Sequence, residues 1–551
     1  MATSSTDQRT EALVERVVRS AFASNPAHAR VVGEHSYDGV VPDLGPDWPA
    51  RRIAELESLR GELDAVHGNG TMPSGLAADV ATARSAIDDE LFHLRVLRDP
   101  NADPQWALWR GCDVSSYVTR DYAPVADRTQ ALIRHLVQIP EWLDAAYALL
   151  DPDLASGPRD IALESVRGHA TFYRDEARKE LGDIGDATLA RRLDEAIEPA
   201  AAACDRHAAR LQSAGSRDDW ALGAQRFTQM LEAQEGTKET VPALRARADA
   251  ELVALTGRGE ELAGVLRAAS LADAFERMEA DHPQRDKLLD TASGTLRRLR
   301  DFWIERDVVS VPVDVECVVR RSPSFYSYIT AAFEPAGYLD PPTLPHFYFV
   351  TPVDPAWSQE QAEGWLRHLN HSSLENISVH EVYPGHFVQI VDTSRGAGLL
   401  RNSFWSGGFG EGWAHYTELL AIEQGLADER PMLELAMIQD ALLRVVRFSA
   451  TVGMHAEGMS LDDATRLFEE QAHIPRIAAE REALRGTWDP MYLVYTYGKL
   501  HILAWREELH GLPGFTLKRF HDRMVGAGAM PLAVMRDHVV GRAEEWLQGP
   551  A

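Results

Sequence analysis

The sequence predicts a mainly α-helical protein that carries one small inserted β-sheet. Three observations lead to this prediction. Apolar residues recur at helical spacing over most of the first 305 residues, and β-branched and aromatic residues then cluster between residues 308 and 350. Helical spacing returns from about residue 358 and continues to the C-terminus.

Residues 1–305 form the first predicted region, an N-terminal series of helices. Ile53, Leu56, Leu59 and Leu63 recur every three or four residues within a charged segment, which is the period of one helical face. Ala, Leu, Arg and Glu, which favour helix, dominate the other periodic segments. These segments are residues 131–149, 160–181, 189–211, 241–255 and 288–302.

Residues 306–357 form the second predicted region, a β-rich insertion. Short runs such as Phe-Tyr-Phe-Val at residues 347–350 favour strands, and Pro341, Pro342 and Pro345 interrupt them. Two interpretations remain open. The insertion is either a surface excursion, or it supplies an edge strand near the active site that can pair with an extended peptide.

The third predicted region, residues 358–551, carries the two motifs that indicate function. The sequence HEVYPGH occupies residues 380–386, and GEGWAHY follows at residues 410–416. Neutral imidazoles and carboxylates are the ligands of catalytic zinc, and a further Glu can act as the base. The motifs therefore predict a hydrolytic site with one Zn²⁺ per chain, although such ligands also accept Mn, Co or Fe.

The spacing of His380 and His386 requires a local change in the helix. Zinc hydrolases commonly place two histidines four residues apart on one helical face. Six residues turn a helix by about 600°, which leaves the two rings about 240° apart in azimuth. Pro384 clashes with the carbonyl of His380, and Gly385 tolerates unusual backbone angles, so we expect a bulge that returns His386 to the face of His380. The predicted helix spans residues 373–383, and its candidate N-cap residues are Ser372 and Ser373.

Sequence position indicates the roles of three further residues, Glu411, Glu381 and His415. Glu411 lies 25 residues after His386 (411 − 386 = 25) and opens a segment with helical character. Gluzincin-type hydrolases take their third ligand from such a position, so we predict His380, His386 and Glu411 as the ligands. Glu381 directly follows a ligand and is the predicted general base. For His415 three roles remain open, a fourth ligand, a hydrogen-bond partner of a ligand or packing, and we favour the hydrogen-bond partner.

The two motifs together resemble the DUF885 family of bacterial proteins, whose members are regarded as zinc-metallopeptidase-like. Three further segments are similar to the family pattern, namely residues 321–326, 447–456 and 495–500. The departures from the pattern are Phe387, His415, Thr451 and the stretch 490–495, which is one residue shorter than usual. They concern the substrate pocket more than the metal.

The resemblance implies roles for residues outside the metal motifs. His455 and Tyr495 are the implied donors to the oxyanion of the tetrahedral intermediate. Tyr326 is an implied substrate-binding residue. For Arg447 two roles remain open, a bidentate clamp on a substrate carboxylate or an ion pair with an acidic residue, and Arg444 competes for the first.

These observations predict a zinc-dependent hydrolase with a gluzincin-type, multi-helix architecture, in the first place a metallopeptidase of oligopeptides or related amides. In this hypothesis Glu381 takes a proton from zinc-activated water and later passes it to the leaving amine. Two alternatives remain open. One is a non-catalytic metal- or substrate-binding protein, and the other is a zinc hydrolase of a specialised non-peptide amide or ester.

Composition limits the partners. A formal net charge of −28 over 551 residues disfavours nucleic acid as a partner. The three cysteines are far apart, which predicts neither a disulfide framework nor a cysteine-ligated metal. Residues 1–16 lack the apolar core of a secretory signal, and no apolar run is long enough to span a bilayer. We therefore expect a cytoplasmic protein with a small substrate and no membrane partner.

Overall fold

The computed structural model describes residues 5–67, 72–323 and 329–548. Helices dominate these residues and two small sheets accompany them, so the prediction of a mainly α-helical chain with a small sheet is confirmed. The chain divides into two compact units, Met1–Trp220 with Ala336–Leu344, and Ala221–Pro335 with Pro345–Ala551. The three regions predicted from the sequence were bounded instead by changes in secondary structure. Their bounds stay a prediction.

The first unit consists mainly of helices. Its longest helix, α12, begins where the side chain of Asp186 accepts the backbone N–H groups of Thr188 and Leu189. Helices in the described part of this unit are α1 (Ser5–Ser24), α2 (Pro26–Val31), α3 (Trp48–His67), α4 (Ser74–Phe92), α5 (Asp99–Ala102), α6 (Gln105–Gly111), α7 (Ser116–Thr119), α8 (Val125–Leu136), α9 (Ile139–Leu149), α10 (Ser156–Asp175), α11 (Ala177–Leu181) and α12 (Ala187–Ser213). Strands β1 (Asp153–Ala155) and β2 (Gly215–Arg217) pair in parallel.

Residues 336–344 belong to the first unit although they come late in the chain. The N–H of Leu339 donates to the carbonyl of Val32 at 2.8 Å. Nε2 of His35 lies 2.7 Å from Oδ1 of Asp340, and Nδ1 lies 3.3 Å from Oδ1 of Asp38. This segment is therefore held by backbone and charged contacts to the start of the chain.

The second unit contains the larger sheet and the remaining helices. Its helices in the described residues are α13 (Ala224–Glu235), α14 (Val241–Val265), α15 (Leu271–Glu279), α16 (Leu288–Arg306), α17 (Gln359–His368), α18 (His371–Glu381), α19 (His386–Gly396), α20 (Leu399–Ser403), α21 (Gly407–Glu423), α22 (Pro431–Val452), α23 (Leu461–Gln471), α24 (Arg476–Trp488), α25 (Val494–Leu509), α26 (Leu517–Val525), α27 (Leu532–Arg536) and α28 (Ala543–Leu547). None of the helices in the described residues of either unit has the length and apolarity that a membrane span requires.

The five helical segments predicted from periodicity all form helices. Residues 189–211, 241–255 and 288–302 lie within α12, α14 and α16. The other two, residues 131–149 and 160–181, are each divided between two helices. Periodicity continues across these short breaks, which is why the pattern did not show them.

The sheet of the second unit contains β3 (Cys317–Arg321), β4 (Ala331–Glu334) and β5 (His346–Val350), in the order β3-β5-β4. Strand β5 runs parallel to β3 and antiparallel to β4. The side chains of Phe347, Tyr348, Phe349 and Val350 are buried, so β5 is part of the core rather than a surface excursion. Strand β4 is half-exposed and forms an edge of the sheet.

Candidate metal centre

The two histidines of the first motif lie at the junction of α18 and α19. Helix α18 begins at His371, because the side chain of Asn370 accepts the N–H groups of Ser372 and Ser373. Asn370 is therefore the N-cap, and the prediction of Ser372 or Ser373 was wrong by two or three residues. The helix ends at Glu381, directly after the first histidine.

A sharp turn over residues 382–385 brings the two histidines together. The N–H of Gly385 donates to the carbonyl of Val379 at 3.0 Å, and a Cβ on Gly385 would overlap the carbonyl oxygen of His380. The ring centroids of His380 and His386 are 4.9 Å apart, with the planes inclined by 88°. The predicted bulge within one helix was wrong: the helix ends, and a second helix starts at His386.

Glu411, in the first turns of α21, completes a group of three converging side chains that could hold a metal. Its Oε2 lies 3.5 Å from Nε2 of His380 and 3.5 Å from Nε2 of His386. One donor atom from each residue lies within 4.8 Å of the others. Tetrahedral zinc with bonds of about 2.0–2.2 Å separates its ligand atoms by roughly 3.3–3.6 Å, so the donor types and the two distances from Glu411 fit zinc.

The carboxylate of Glu411 and the imidazole of His380 shift each other's pKa values. Burial raises the pKa of Glu411, but the neighbouring His386 and His380 outweigh burial and hold that pKa well below its usual range. Burial and Arg444 lower the pKa of His380, whereas hydrogen bonds to Glu411 and Glu418 raise it overall to about 9. A metal bound at Nε2 of His380 would therefore have to displace a proton.

Glu418 orients the ring of His380. Oε1 of Glu418 lies 2.7 Å from Nδ1 of His380, and a carboxylate can only accept, so Nδ1 carries the proton and Nε2 faces the other ligands. The second carboxylate oxygen accepts from Nη1 of Arg444 at 3.0 Å. Glu418 was not among the site residues predicted from the sequence. Its spacing of seven residues from Glu411, two helical turns on one face, is the signal that could have found it.

His415 contacts Glu418 rather than a ligand. Its Nδ1 lies 3.2 Å from Oε2 of Glu418, and the converging group of donor atoms does not include His415. Burial and the charge of Lys499 lower the pKa of His415 to about 3, so the ring is neutral. His415 therefore contacts a partner of the candidate ligand His380, rather than the ligand itself as we predicted.

Glu381 points toward the edge of the sheet. Its Oε2 accepts the backbone N–H of Phe333 on β4 at 2.9 Å. The ring of Phe333 packs edge-on against Phe387, the residue after His386. Strand β4 thus holds the carboxylate that directly follows the first ligand.

Tyr495 and three arginines lie beside the ligands. The ring of Tyr495 is 6.5 Å from that of His380, and the guanidinium carbons of Arg444 and Arg447 lie 5.8 and 5.5 Å from its centre. The negative charge of Glu411 and burial raise the pKa of Tyr495, and they outweigh the charge of the nearby Arg485, which lowers this pKa. The hydroxyl therefore stays protonated at neutral pH.

Helix α25 reaches this position because it packs closely on α21. A Cβ on Gly412 would lie 2.6 Å from the backbone of Gly498, and a Cβ on Gly498 would overlap the carbonyl of Gly408. These glycines let the two backbones touch. The close approach sets Tyr495 next to Glu411.

Arg447 forms an ion pair in this structure. Its Nε and Nη2 donate to the two carboxylate oxygens of Glu482 at 2.8 and 2.7 Å. Of the two roles left open, the structure shows the ion pair. A substrate carboxylate would have to compete with Glu482 for the same two donors.

His455 has both ring nitrogens in hydrogen bonds. Nε2 lies 2.7 Å from the carbonyl of Gly486, and Nδ1 accepts the N–H of Leu222 at 3.3 Å. The ring stacks on Phe227 and burial lowers its pKa to about 4. Because a carbonyl only accepts, Nε2 carries the proton and donates it there. These bonds argue against the predicted role of His455 as an oxyanion donor.

Tyr326, the predicted substrate-binding residue, lies outside the described residues.

The chain belongs to the family described as "Bacterial protein of unknown function (DUF885)", whose model matches residues 26–539. This confirms the resemblance drawn from the motifs. The chain is similar to the structure of a proposed lipoprotein of unknown function from Shewanella oneidensis, with a TM-score of 0.79, 21% identity, and 98% and 100% of the two chains covered. It is also similar to a proposed lipoprotein from Colwellia psychrerythraea, with a TM-score of 0.77, 17% identity, and 98% and 99% covered. Among curated proteins, none matches the chain significantly.

Proposed function

We propose that this protein is a zinc-dependent hydrolase of oligopeptides or related amides, with a gluzincin-type arrangement of its ligands. One observation carries the proposal: donor atoms of His380, His386 and Glu411 converge within 4.8 Å, and the carboxylate of Glu381 follows the first ligand directly. Two histidines and one carboxylate are a ligand set of catalytic zinc. A structural zinc site usually closes with four protein ligands, so a set of three favours catalysis over simple metal binding.

The metal and the protein side chains have different roles in the proposed reaction. Zinc, when bound, supplies a Lewis acid that polarises a carbonyl and acidifies water. Glu381 accepts a proton from the attacking water and returns it to the leaving amine. The hydrogen bond from Phe333 engages only Oε2 of Glu381, so the bond orients the carboxylate and leaves Oε1 to handle the proton.

Tyr495 is our proposed donor to the developing oxyanion. Its ring lies 6.5 Å from that of the ligand His380, and its raised pKa keeps the hydroxyl protonated. The positive charge of Arg485 opposes the rise in the pKa of this hydroxyl and so favours it as a donor. Tyr495 replaces His455 in this role, because His455 already donates to Gly486.

The edge strand supports a peptide substrate. Strand β4 pairs with β5 on one side, and the Phe333 N–H that meets Glu381 points to the other side. An extended backbone that lies along this open side passes next to Glu381. This is the second of the two interpretations of the β-rich insertion, and it remains part of the proposal.

The test measures both the zinc content and the peptide cleavage of the native protein and of two variants. Native protein is expected to hold one equivalent of zinc by elemental analysis and to cleave members of a synthetic oligopeptide mixture. His380→Ala should lose both zinc and cleavage, whereas Glu381→Gln should keep zinc and lose cleavage. Native protein that takes up no zinc when zinc is offered would sink the proposal, and zinc without cleavage of any amide would reduce it to metal binding.

We propose the cytoplasm as the compartment, because Cys112, Cys204 and Cys317 are all buried and none forms a disulfide. The two similar structures are described as proposed lipoproteins, which favours membrane anchoring instead. Fractionation of cells that express the native gene separates the two: recovery with the membrane fraction would overturn the cytoplasmic assignment.

A further inference from the structure

Trp405 is one of two strongly exposed tryptophans in the described part of the chain. The residue is 45% exposed, and Trp109 in the first unit is 59% exposed. Trp303, Trp413 and Trp505 are, in contrast, fully buried. An exposed indole leaves a large apolar surface in water, so its position beside a candidate site calls for a functional explanation.

The indole of Trp405 lies against two of the segments that carry ligands. Its ring centroid is 5.7 Å from that of His386, with the planes inclined by 56°. A Cβ on Gly410 would overlap the six-membered ring, so this glycine makes room for the indole. Gly410 directly precedes Glu411, and the indole therefore borders the metal centre.

Buried hydrogen bonds fix the backbone next to Trp405. The N–H of Ser406 donates to the carbonyl of Ala529 at 2.9 Å, and the Ser406 hydroxyl donates to Oε2 of Glu235 at 2.7 Å. The same hydroxyl oxygen accepts the N–H of Phe409 at 3.0 Å and caps α21. An aromatic ring on a fixed backbone binds a ligand at a low entropic cost.

We infer that Trp405 forms a subsite for an apolar side chain beside the scissile bond. The inference rests on the proposed function, which brings the scissile carbonyl to the three ligands. Consecutive Cα atoms are about 3.8 Å apart, so the side chain next to that carbonyl reaches the indole. Substrates with a large apolar or aromatic residue at this position therefore bind more tightly than those with Gly or Ala.

The test uses two hydroxamates that differ in their apolar group, acetohydroxamate and 3-phenylpropanohydroxamate. Both chelate zinc through the same atoms, so the ratio of their Kd values reports the contact with the phenyl ring. Isothermal titration calorimetry on the zinc-loaded full chain measures this ratio without turnover. We expect the phenyl compound to bind the native protein roughly tenfold more tightly.

Four variants isolate the contribution of the indole. Trp405→Ala should reduce the ratio to about two and leave zinc content and acetohydroxamate affinity unchanged. Trp405→Phe should keep most of the ratio, and Trp109→Ala, which removes the other exposed indole, should keep all of it. In Trp405→Gln the new side chain fills more of the space over Gly410 than in Trp405→Ala. This variant should reduce the ratio in the same way. It decides the test if Trp405→Ala loses zinc.

Two results would overturn the subsite in distinguishable ways. A native-like ratio in Trp405→Ala or Trp405→Gln, or a native ratio near one, overturns the subsite and leaves the hydrolase proposal intact. Native zinc-treated protein that binds neither hydroxamate overturns the metal centre, and the subsite with it.

Discussion

Nδ1 of His380 lies 2.7 Å from Oε1 of Glu418, and this hydrogen bond joins α18 to α21. Both side chains are buried. The bond determines which ring nitrogen is directed toward His386 and Glu411. It also links the metal centre to Arg444, which donates to the other oxygen of Glu418 at 3.0 Å. Glu418 thus lies outside the group of candidate ligands, yet it sets the orientation of one of them.

Glu418→Gln should weaken zinc binding. Gln retains the size of the side chain but loses the charge that holds Nδ1–H of His380, so we expect zinc affinity to fall by about 10- to 100-fold. Competition with a chromogenic chelator measures this change. Glu423→Gln is the matched control, because Glu423 lies on the same helix but pairs with Arg506. Equal zinc affinities in the two variants would contradict the role of Glu418.

Gly385→Ala should abolish the metal centre. The added Cβ would overlap the carbonyl oxygen of His380, so the turn must open and the two histidines must separate. We expect a loss of more than about 2 kcal/mol in the free energy of unfolding, together with loss of zinc.

Gly364→Ala is the control for this substitution. Gly364 lies in α17 with open space around its Cβ position, so Ala should leave zinc content unchanged and stabilise the helix slightly. Thermal unfolding and elemental analysis are measured on both variants. A Gly385→Ala protein that binds zinc like the native protein would show that the turn is not needed.

The residues of the candidate metal site could be predicted from the sequence, but the geometry that brings them together could not. Two histidines and a glutamate in HEVYPGH, with a second glutamate in GEGWAHY, limit the chemistry to few possibilities. Pro384 and Gly385 indicated a disturbance of the helix near His380, but they did not show that one helix ends at Glu381 and a second starts at His386. His455 shows a different limit of prediction from sequence. Its partner Leu222 lies 233 residues away in the chain, so sequence spacing could not show that its ring was already occupied.

The long helices of the fold could be predicted from the sequence, but its shortest strands and its division into two units could not. Helical periodicity identified α12, α14 and α16, because each buries one apolar face. Strands β1 and β2 contain three residues each, too few for a period of two to appear. The assignment of residues 336–344 to the first unit depends on contacts such as His35–Asp340, which link residues 305 positions apart.

His35 should make the stability of the first unit depend on pH. Burial lowers the pKa of His35, but hydrogen bonds to Asp340 and Asp38 outweigh burial and raise it to about 9, from an ordinary value of 6.5. The folded state therefore binds this proton more tightly than the unfolded state. The resulting stabilisation is complete below about pH 6.5 and is lost as the pH rises through about 9.

The measurement compares native protein with His35→Gln and Asp340→Asn. At pH 6 each variant should unfold more easily by about 2 kcal/mol, less than the full shift implies because the ring is 27% exposed. At pH 9.5 the difference from the native protein should shrink. Urea unfolding followed by fluorescence gives the values, and a difference that stays constant between the two pH values would contradict the assignment.

Tyr495→Phe should slow catalysis without loss of metal. The substitution removes only the hydroxyl, which the charge of Glu411 and burial keep protonated and able to donate. Loss of one oxyanion donor costs about 100-fold in kcat, so we expect a fall of that order with zinc content and KM nearly unchanged. Tyr492→Phe is the control, because the buried Tyr492 hydroxyl makes no hydrogen bond within the described residues. A kcat that falls equally in both variants, or in neither, would show that Tyr495 acts only through packing.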